Sequence, residues 1–155
     1  MGESEPRVHG ALPTLPRGVR VYAVGDIHGR LDLLRALEGR ILADIDESGR
    51  HLDRFVVYLG DYVDRGFESR QVLDHLIGRP LPEVHRVCLL GNHDAWLRAF
   101  VRGEPVGPAW LQHGGDATLG SYAGRLDLQQ DEGRRLAAAR AALAAKLPAA
   151  HLTFL

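Results

Sequence analysis

Three apolar runs of strand length recur along the chain, and each ends in a glycine followed by a polar cluster. They are Val19–Val24, Arg54–Leu59 and His85–Leu90, rich in valine, leucine and aromatic residues. Between the first two, Leu31, Leu33, Leu34, Leu37, Ile41, Leu42 and Ile45 recur at helical spacing. They form an apolar stripe against a polar face of Asp32, Arg35, Glu38 and Arg40. Gly49 is the predicted stop. A second helix is predicted from Ser69, a capping residue, to Ile77, ended by Gly78 and Pro80-Leu81-Pro82. A third begins near His93 and carries Trp96, Leu97, Phe100 and Val101. Strand, helix, strand, helix, strand predicts right-handed crossovers, a mainly parallel sheet and an α/β fold.

Beyond Gly103 the pattern changes. Pro105, Gly107 and Pro108 predict a loop, and Trp110-Leu111-Gln112-His113-Gly114-Gly115-Asp116 leads into a short helical stretch. Asp131–Leu147 is rich in alanine and arginine and reads as a strong helix, a packing element without chemistry of its own. Pro148 ends it, and an apolar segment, Ala149–Leu155, follows. At the other end, residues 1–18 hold three prolines and three glycines without periodicity. They predict a flexible arm ahead of a domain over residues 19–155.

Composition narrows the class. With 155 residues, 45% hydrophobic, 25% charged and net charge −1, the chain has the balance of one globular domain. Its size allows about two-thirds of the unfolded surface to be buried. The near-neutral charge gives no electrostatic reason to bind nucleic acid. The single cysteine excludes an internal disulfide and a cysteine-rich zinc site, and makes a cytoplasmic setting the expectation. No apolar run reaches the roughly 18 residues of a membrane span, and the N-terminus lacks a signal peptide's apolar centre.

The chemistry lies in the clusters that end the strands: Gly25-Asp26-Ile27-His28-Gly29, Gly60-Asp61-Tyr62-Val63-Asp64-Arg65-Gly66 and Gly91-Asn92-His93-Asp94. Ligands of open α/β sheets bind at that edge. Carboxylate, imidazole and amide oxygen suit Mn²⁺, Fe, Zn²⁺ or Mg²⁺. Asp26 and His28 can point at one ion, and Asp61 can bridge it to a second held by Asn92. Two ions about 3.5–4 Å apart can share a hydroxide and clamp a phosphate. Arg65 offers a planar fork for phosphate oxygens. His93 can protonate a leaving alkoxide while Asp64 orients the ring.

The remaining residues have plainer expected roles. Asp64 and Asp94 can also cap a turn or helix. His9 is expected to be solvated. His51, His75, His85, His113 and His151 are expected to be structural or solvated. Cys88 reads as a small buried apolar residue, and Trp96 and Trp110 as core or loop packing.

Together the three clusters resemble the calcineurin-like metallophosphoesterases. More narrowly they resemble their phosphoprotein-phosphatase branch of bacterial serine/threonine protein phosphatases and symmetrical diadenosine tetraphosphate hydrolases. Trp110–Tyr122 is similar to a segment that recurs in the bacterial members, and Leu147–Leu155 resembles a helix preceding the family's next strand. The resemblance implies a sandwich of two sheets flanked by helices. It also implies two divalent ions, with Mn²⁺ the first choice. Asp26, His28 and Asp61 would hold the first ion, and Asp61 and Asn92 the second. His93 would be the general acid supported by Asp64, and Arg65 would grip phosphate. The implied activity is phosphomonoester hydrolysis by metal-bound hydroxide, on a phosphorylated protein or a small phosphoester.

Two departures stand out. Asp94 replaces the family's more usual glutamate. The family's later His-Ala-Gly and Gly-His motifs, whose histidines complete the second ion site, do not occur, nor does a second phosphate-binding arginine. Most of the second sheet is therefore expected to be missing. One apolar face of the first sheet should then be uncovered, open to self-association or a partner. The expectation is a C-terminally truncated chain that binds one ion well and a second poorly. Its leading reading is a serine/threonine protein phosphatase. The alternatives are a dinucleoside polyphosphate hydrolase and an inactive metal-binding remnant that works with a partner chain.

Overall fold

The computed structural model describes residues 14–48, 52–79, 81–124 and 131–155. His9, Gly49, His51, Pro80 and most of the expected arm lie outside the described residues. Strands β1 (Val19–Val24), β2 (Asp53–Tyr58) and β3 (His85–Cys88) form one parallel sheet in the order β1-β2-β3. Helices α1 (Leu31–Glu47) and α2 (Ser69–Ile77) make the crossovers. The second and third strands end one and two residues before the predicted limits, although Leu59 N and Leu89 N still donate to Val24 O and Tyr58 O, at 2.8 and 2.9 Å.

Register decides which side chains are covered. Tyr22, Val56 and Arg86 align on one face, and Val24, Tyr58 and Cys88 on the same face one pleat further on. Helices pack there. Leu34 and Ile41 of α1 and Val72, Leu73 and Leu76 of α2 are buried with Val56 and Tyr58. Each such side chain contributes about 1.5–3 kcal/mol. Polar pins reinforce the contact. The Tyr22 hydroxyl donates to Asp44 at 2.5 Å, and the Arg86 guanidinium reaches the Leu76 carbonyl.

The predicted polar face of α1 needs a correction here. Glu38 is only 4% exposed. It accepts from the Tyr58 hydroxyl at 2.7 Å and pairs with His75 Nε2 at 2.6 Å. Two donors converging on one carboxylate make its burial tolerable. Conversely, Leu33 and Leu37 of the predicted stripe are exposed. The helix is therefore rolled relative to its apolar pattern, toward the Tyr58 hydroxyl.

The opposite face of the sheet carries Val21, Ala23, Phe55, Val57, His85 and Val87. Val21 is 37% and Val87 40% exposed, and Leu59 and Leu89 beyond the strand ends are also exposed. This is the uncovered face expected from the sequence. The described residues contain one sheet and no second one.

After β3 the chain is helical: α3 (Asn92–Arg102), α4 (Gly107–Trp110), a wider turn over Leu111–Gly115, α5 (Asp116–Tyr122), α6 (Glu132–Lys146) and α7 (Ala149–Phe154). Asp131 caps α6 by accepting from Arg134 N at 3.0 Å. Only Ala139 and Leu143 of α6 are buried, which fits a packing helix. His151 of α7 is buried between α5 and α2, paired with the Tyr122 hydroxyl at 2.6 Å and Asp74 at 2.9 Å. Trp110 is fully buried, with its ring 4.8 Å from that of Phe100. These helices brace the edge of the sheet where the three strands end.

Candidate active site

The loops after β1 and β2 are laced by backbone hydrogen bonds. Ile27 N and His28 N both donate to the Asp61 carbonyl, at 3.0 and 2.9 Å. Gly29 N donates to Tyr62 O at 2.9 Å, and Gly66 N returns to His28 O at 3.0 Å. That approach needs glycine on both sides, since a Cβ at Gly66 would overlap the His28 carbonyl and one at Gly29 the Gly66 carbonyl. Asp94 then ties these loops to α3. Its carboxylate accepts from Asp61 N at 2.7 Å, Tyr62 N at 3.0 Å and Gly91 N at 3.0 Å. Asp94 is thus a buried clamp on three amides, the capping role weighed for it. Burial raises its carboxyl to about 6, against the pull of those three N–H groups.

The lacing forces an unusual backbone. His28, Asp61, Asp64 and Arg65 have φ of 47°, 53°, 73° and 65°. Each left-handed residue of this kind costs about 1–2 kcal/mol. The conformation turns their side chains toward one space.

In that space, single ligand atoms of His28, Asp61 and His93 lie within 4.8 Å of one another. His28 Nδ1–H donates to the Val63 carbonyl at 2.9 Å, so in the neutral ring Nε2 is the acceptor nitrogen. That Nε2 is buried and has no hydrogen-bond partner. The Asp26 carboxylate lies beside it, at 3.5 Å, and is largely exposed. An orphaned imidazole nitrogen facing carboxylates, with its other nitrogen fixed by a carbonyl, is the donor set a divalent cation requires. The residues present therefore fit a metal ion.

His93 is held differently. It is 2% exposed, and its Nδ1 lies 2.8 Å from Asp64 Oδ2. The Arg65 guanidinium approaches its Nε2 at 3.3 Å. Its backbone N–H donates to Asp61 Oδ1 at 3.0 Å. Its ring meets that of His28 edge-on, with centroids 4.7 Å apart. Asp64 is fully buried, and burial raises its carboxyl above the usual range, against donors from Thr118, His93 and Trp110. Arg65 is exposed, as is Asn92, which opens α3 next to His93.

The sequence model of the calcineurin-like phosphoesterases matches residues 19–135. The chain belongs to that family. Calcineurin-like phosphoesterases use divalent metals, and the His28–Asp61–His93 cluster is in keeping with that. It is 35% identical over 99 residues to Serine/threonine-protein phosphatase 2 of Escherichia coli K12, covering 62% of this chain and 38% of that protein. It is 38% identical over 81 residues to the symmetrical bis(5'-nucleosyl)-tetraphosphatase of Pseudomonas fluorescens Pf0-1, covering 52% of this chain and 25% of that protein. With Serine/threonine-protein phosphatase BSL2 of Arabidopsis thaliana it shares 31% identity over 98 residues, or 60% of this chain and 9% of that protein. The match thus spans well under half the length of each of these relatives.

The structure brings His28, Asp61, Asp64, Arg65 and His93 together, with Asp26 at the rim beside His28. Three further contributors were not singled out from the sequence. Trp110 packs as expected, and its indole N–H also donates to Asp64 Oδ2 at 2.8 Å. Thr118 Oγ1 donates to Asp64 Oδ1 at 2.6 Å. Ser69, expected as a helix cap, is buried beside the Asp64 amide at 3.2 Å. The only signal for the first two was the Trp110–Tyr122 stretch taken as a whole.

Proposed function

We propose that the chain is a metal-dependent phosphomonoester hydrolase of the serine/threonine protein phosphatase type. The observation that carries this reading is the pairing of an orphaned His28 Nε2, next to Asp61, with a buried Asp64–His93 pair in the same space. Asp26, His28 and Asp61 would hold one divalent ion, with Mn²⁺ our choice. Asp61 and Asn92 offer a weaker second position. His93 is left out of the ligand set because Arg65, a cation, already approaches its Nε2. An ion bound there supplies Lewis-acid activation of water and of the phosphoryl oxygens.

The chain's own residues do the rest. Arg65 leaves His93 and forks onto two phosphoryl oxygens. His93, carrying a proton on Nε2, gives it to the leaving oxygen as the phosphorus–oxygen bond breaks. Water's oxygen ends on phosphate, so the products are an alcohol and inorganic phosphate. Asp64 stabilises the protonated ring through Nδ1.

The test is hydrolysis of p-nitrophenyl phosphate by the purified chain with added Mn²⁺, beside Asp61→Asn. Turnover that disappears in the variant supports the reading, and turnover no higher than the variant's sinks it for this chain. A second reading, cleavage of a dinucleoside tetraphosphate, is favoured by the Pseudomonas relative's name. Release of phosphate from a phosphoserine peptide without cleavage of diadenosine tetraphosphate supports the first reading, and the reverse pattern the second.

A further inference from the structure

The Asp64 carboxylate is more tightly surrounded than a partner for one histidine requires. Its Oδ2 accepts two hydrogen bonds, from His93 Nδ1 and from the Trp110 indole, each at 2.8 Å. Its Oδ1 accepts from the Thr118 hydroxyl at 2.6 Å. The same hydroxyl oxygen accepts from the Asp64 amide at 2.8 Å. Having given its one proton to Oδ1, it must act as acceptor toward Ser69 Oγ at 3.0 Å. Asp64, Thr118 and Trp110 are all fully buried. None of these contacts can be exchanged for water.

Geometry separates the tasks. An aspartate side chain is free to roll about its terminal torsion, which is broad rather than three-fold. Here Thr118 grips one oxygen from α5 and the indole grips the other from α4. The plane of the carboxylate is therefore set by two residues far along the chain, in a segment that contributes no side chain to the His28–Asp61–His93 cluster. Oδ2 is left aimed at His93 Nδ1.

We propose that Thr118 and Trp110 are positioning residues for the leaving-group proton: they fix Asp64 so that His93 stays in its Nδ1–H tautomer with Nε2 turned toward the cluster. This rests on the phosphohydrolase reading for its purpose, and on the hydrogen bonds alone for its geometry. The residue that delivers the proton is thereby set by α4 and α5, while the candidate ion ligands are set by the loops after β1, β2 and β3. The second of His93's nitrogens can carry the mobile proton only if the first is permanently spoken for.

The experiment has two readouts. In the first, long-range proton–nitrogen NMR spectra of the ¹⁵N-labelled, metal-free chain report the tautomer of each imidazole at alkaline pH. The wild type and Thr118→Ser, which keeps a hydroxyl, are expected to show His93 protonated on Nδ1. Thr118→Val, nearly the same shape, and Trp110→Phe, still aromatic, are expected to move His93 toward Nε2–H. The buried His151, held by Asp74 and by Tyr122 one turn along α5 from Thr118, reports any disturbance of that helix and should keep its signals in every variant. An unchanged His93 would overturn the proposal. So would His93 and His151 changing together, since that marks a general structural role.

The second readout is the ratio of kcat on phenyl phosphate to kcat on p-nitrophenyl phosphate with added Mn²⁺. Phenolate is the poorer leaving group and depends more on a proton. Thr118→Val should lower the ratio about tenfold, and Thr118→Ser should restore it. An equal loss on both substrates would count against positioning. If the wild type hydrolyses neither ester, it is the phosphohydrolase reading that fails, and the imidazole spectra still decide the placement of His93.

Discussion

The two sides of the candidate site are built on opposite principles. On one side, His93, Asp64, Thr118 and Trp110 are each buried to 2% exposure or less, and Asp64 alone accepts three side-chain hydrogen bonds. On the other, Asp26 and Asn92 are exposed, and His28 Nε2 faces its carboxylate neighbour across 3.5 Å without a bond. The proton donor we propose must be held at one angle before substrate arrives, which fits surroundings finished in the fold. Metal ligands are organised by the ion, and repulsion between bare carboxylates is tolerable only where solvent reaches them. Substitutions on the first side should therefore be felt as stability, and those on the second as ion affinity.

The strongest test of that division is Trp110→Ala. It removes a fully buried indole and one donor to Asp64, and is expected to cost about 3–5 kcal/mol in denaturant unfolding. A loss below about 1 kcal/mol would mean the buried side is softer than described.

Next comes pH. Folded Asp94 has its carboxyl raised from 3.8 to about 6, and Asp64 is raised in the same sense. Between those values the folded chain keeps a proton that the unfolded chain has released. Stability of the metal-free chain should therefore fall as pH rises from about 4 to about 6, by ~3 kcal/mol for Asp94 alone. Denaturant midpoints across that window measure it. Asp94→Asn, with no carboxyl to titrate, should flatten the slope, and an unaltered slope would assign it elsewhere.

Gly91→Ala sits at the seam between the two sides. Its Cβ would overlap the Asp61 carboxylate and amide. We expect a stability loss of about 1–3 kcal/mol, together with weaker Mn²⁺ binding by calorimetry. Normal binding would show that Asp61 can move without consequence and is no ligand. The smallest stability effect belongs to Asp26→Asn. It should leave unfolding within about 0.5 kcal/mol of the wild type while weakening ion binding. If calorimetry finds the ion bound as tightly as before, Asp26 leaves the ligand set.

This contrast also explains what the sequence could and could not reveal. The strands, their parallel order and the loop clusters were legible because hydrophobic period and glycine punctuation are local signals. His28, Asp61, Asp64, Arg65 and His93, which the structure brings into one space, were legible as candidates because each lies within a few residues of a strand end. The bare face of the sheet followed from the family's second sheet being unaccounted for. Glu38 was misplaced on a polar face because its partners, Tyr58 and His75, lie 20 and 37 residues away. Thr118 and Trp110 were missed as partners of Asp64 for the same reason, at separations of 54 and 46 residues. Contacts that long leave no periodicity to read. A buried acid or histidine announces a distant partner only once its burial is known.

The left-handed backbone at His28, Asp61, Asp64 and Arg65 gathers conformational cost at the candidate site. A glycine would relax the backbone at any of these positions, but at Asp64 it would also orphan His93, Trp110 and Thr118, so relief is open only where the side chain is less enclosed, at Asp61 and Arg65. A laboratory screen scored only on melting temperature should enrich glycine or asparagine at positions 61 and 65, and its winners should bind Mn²⁺ poorly.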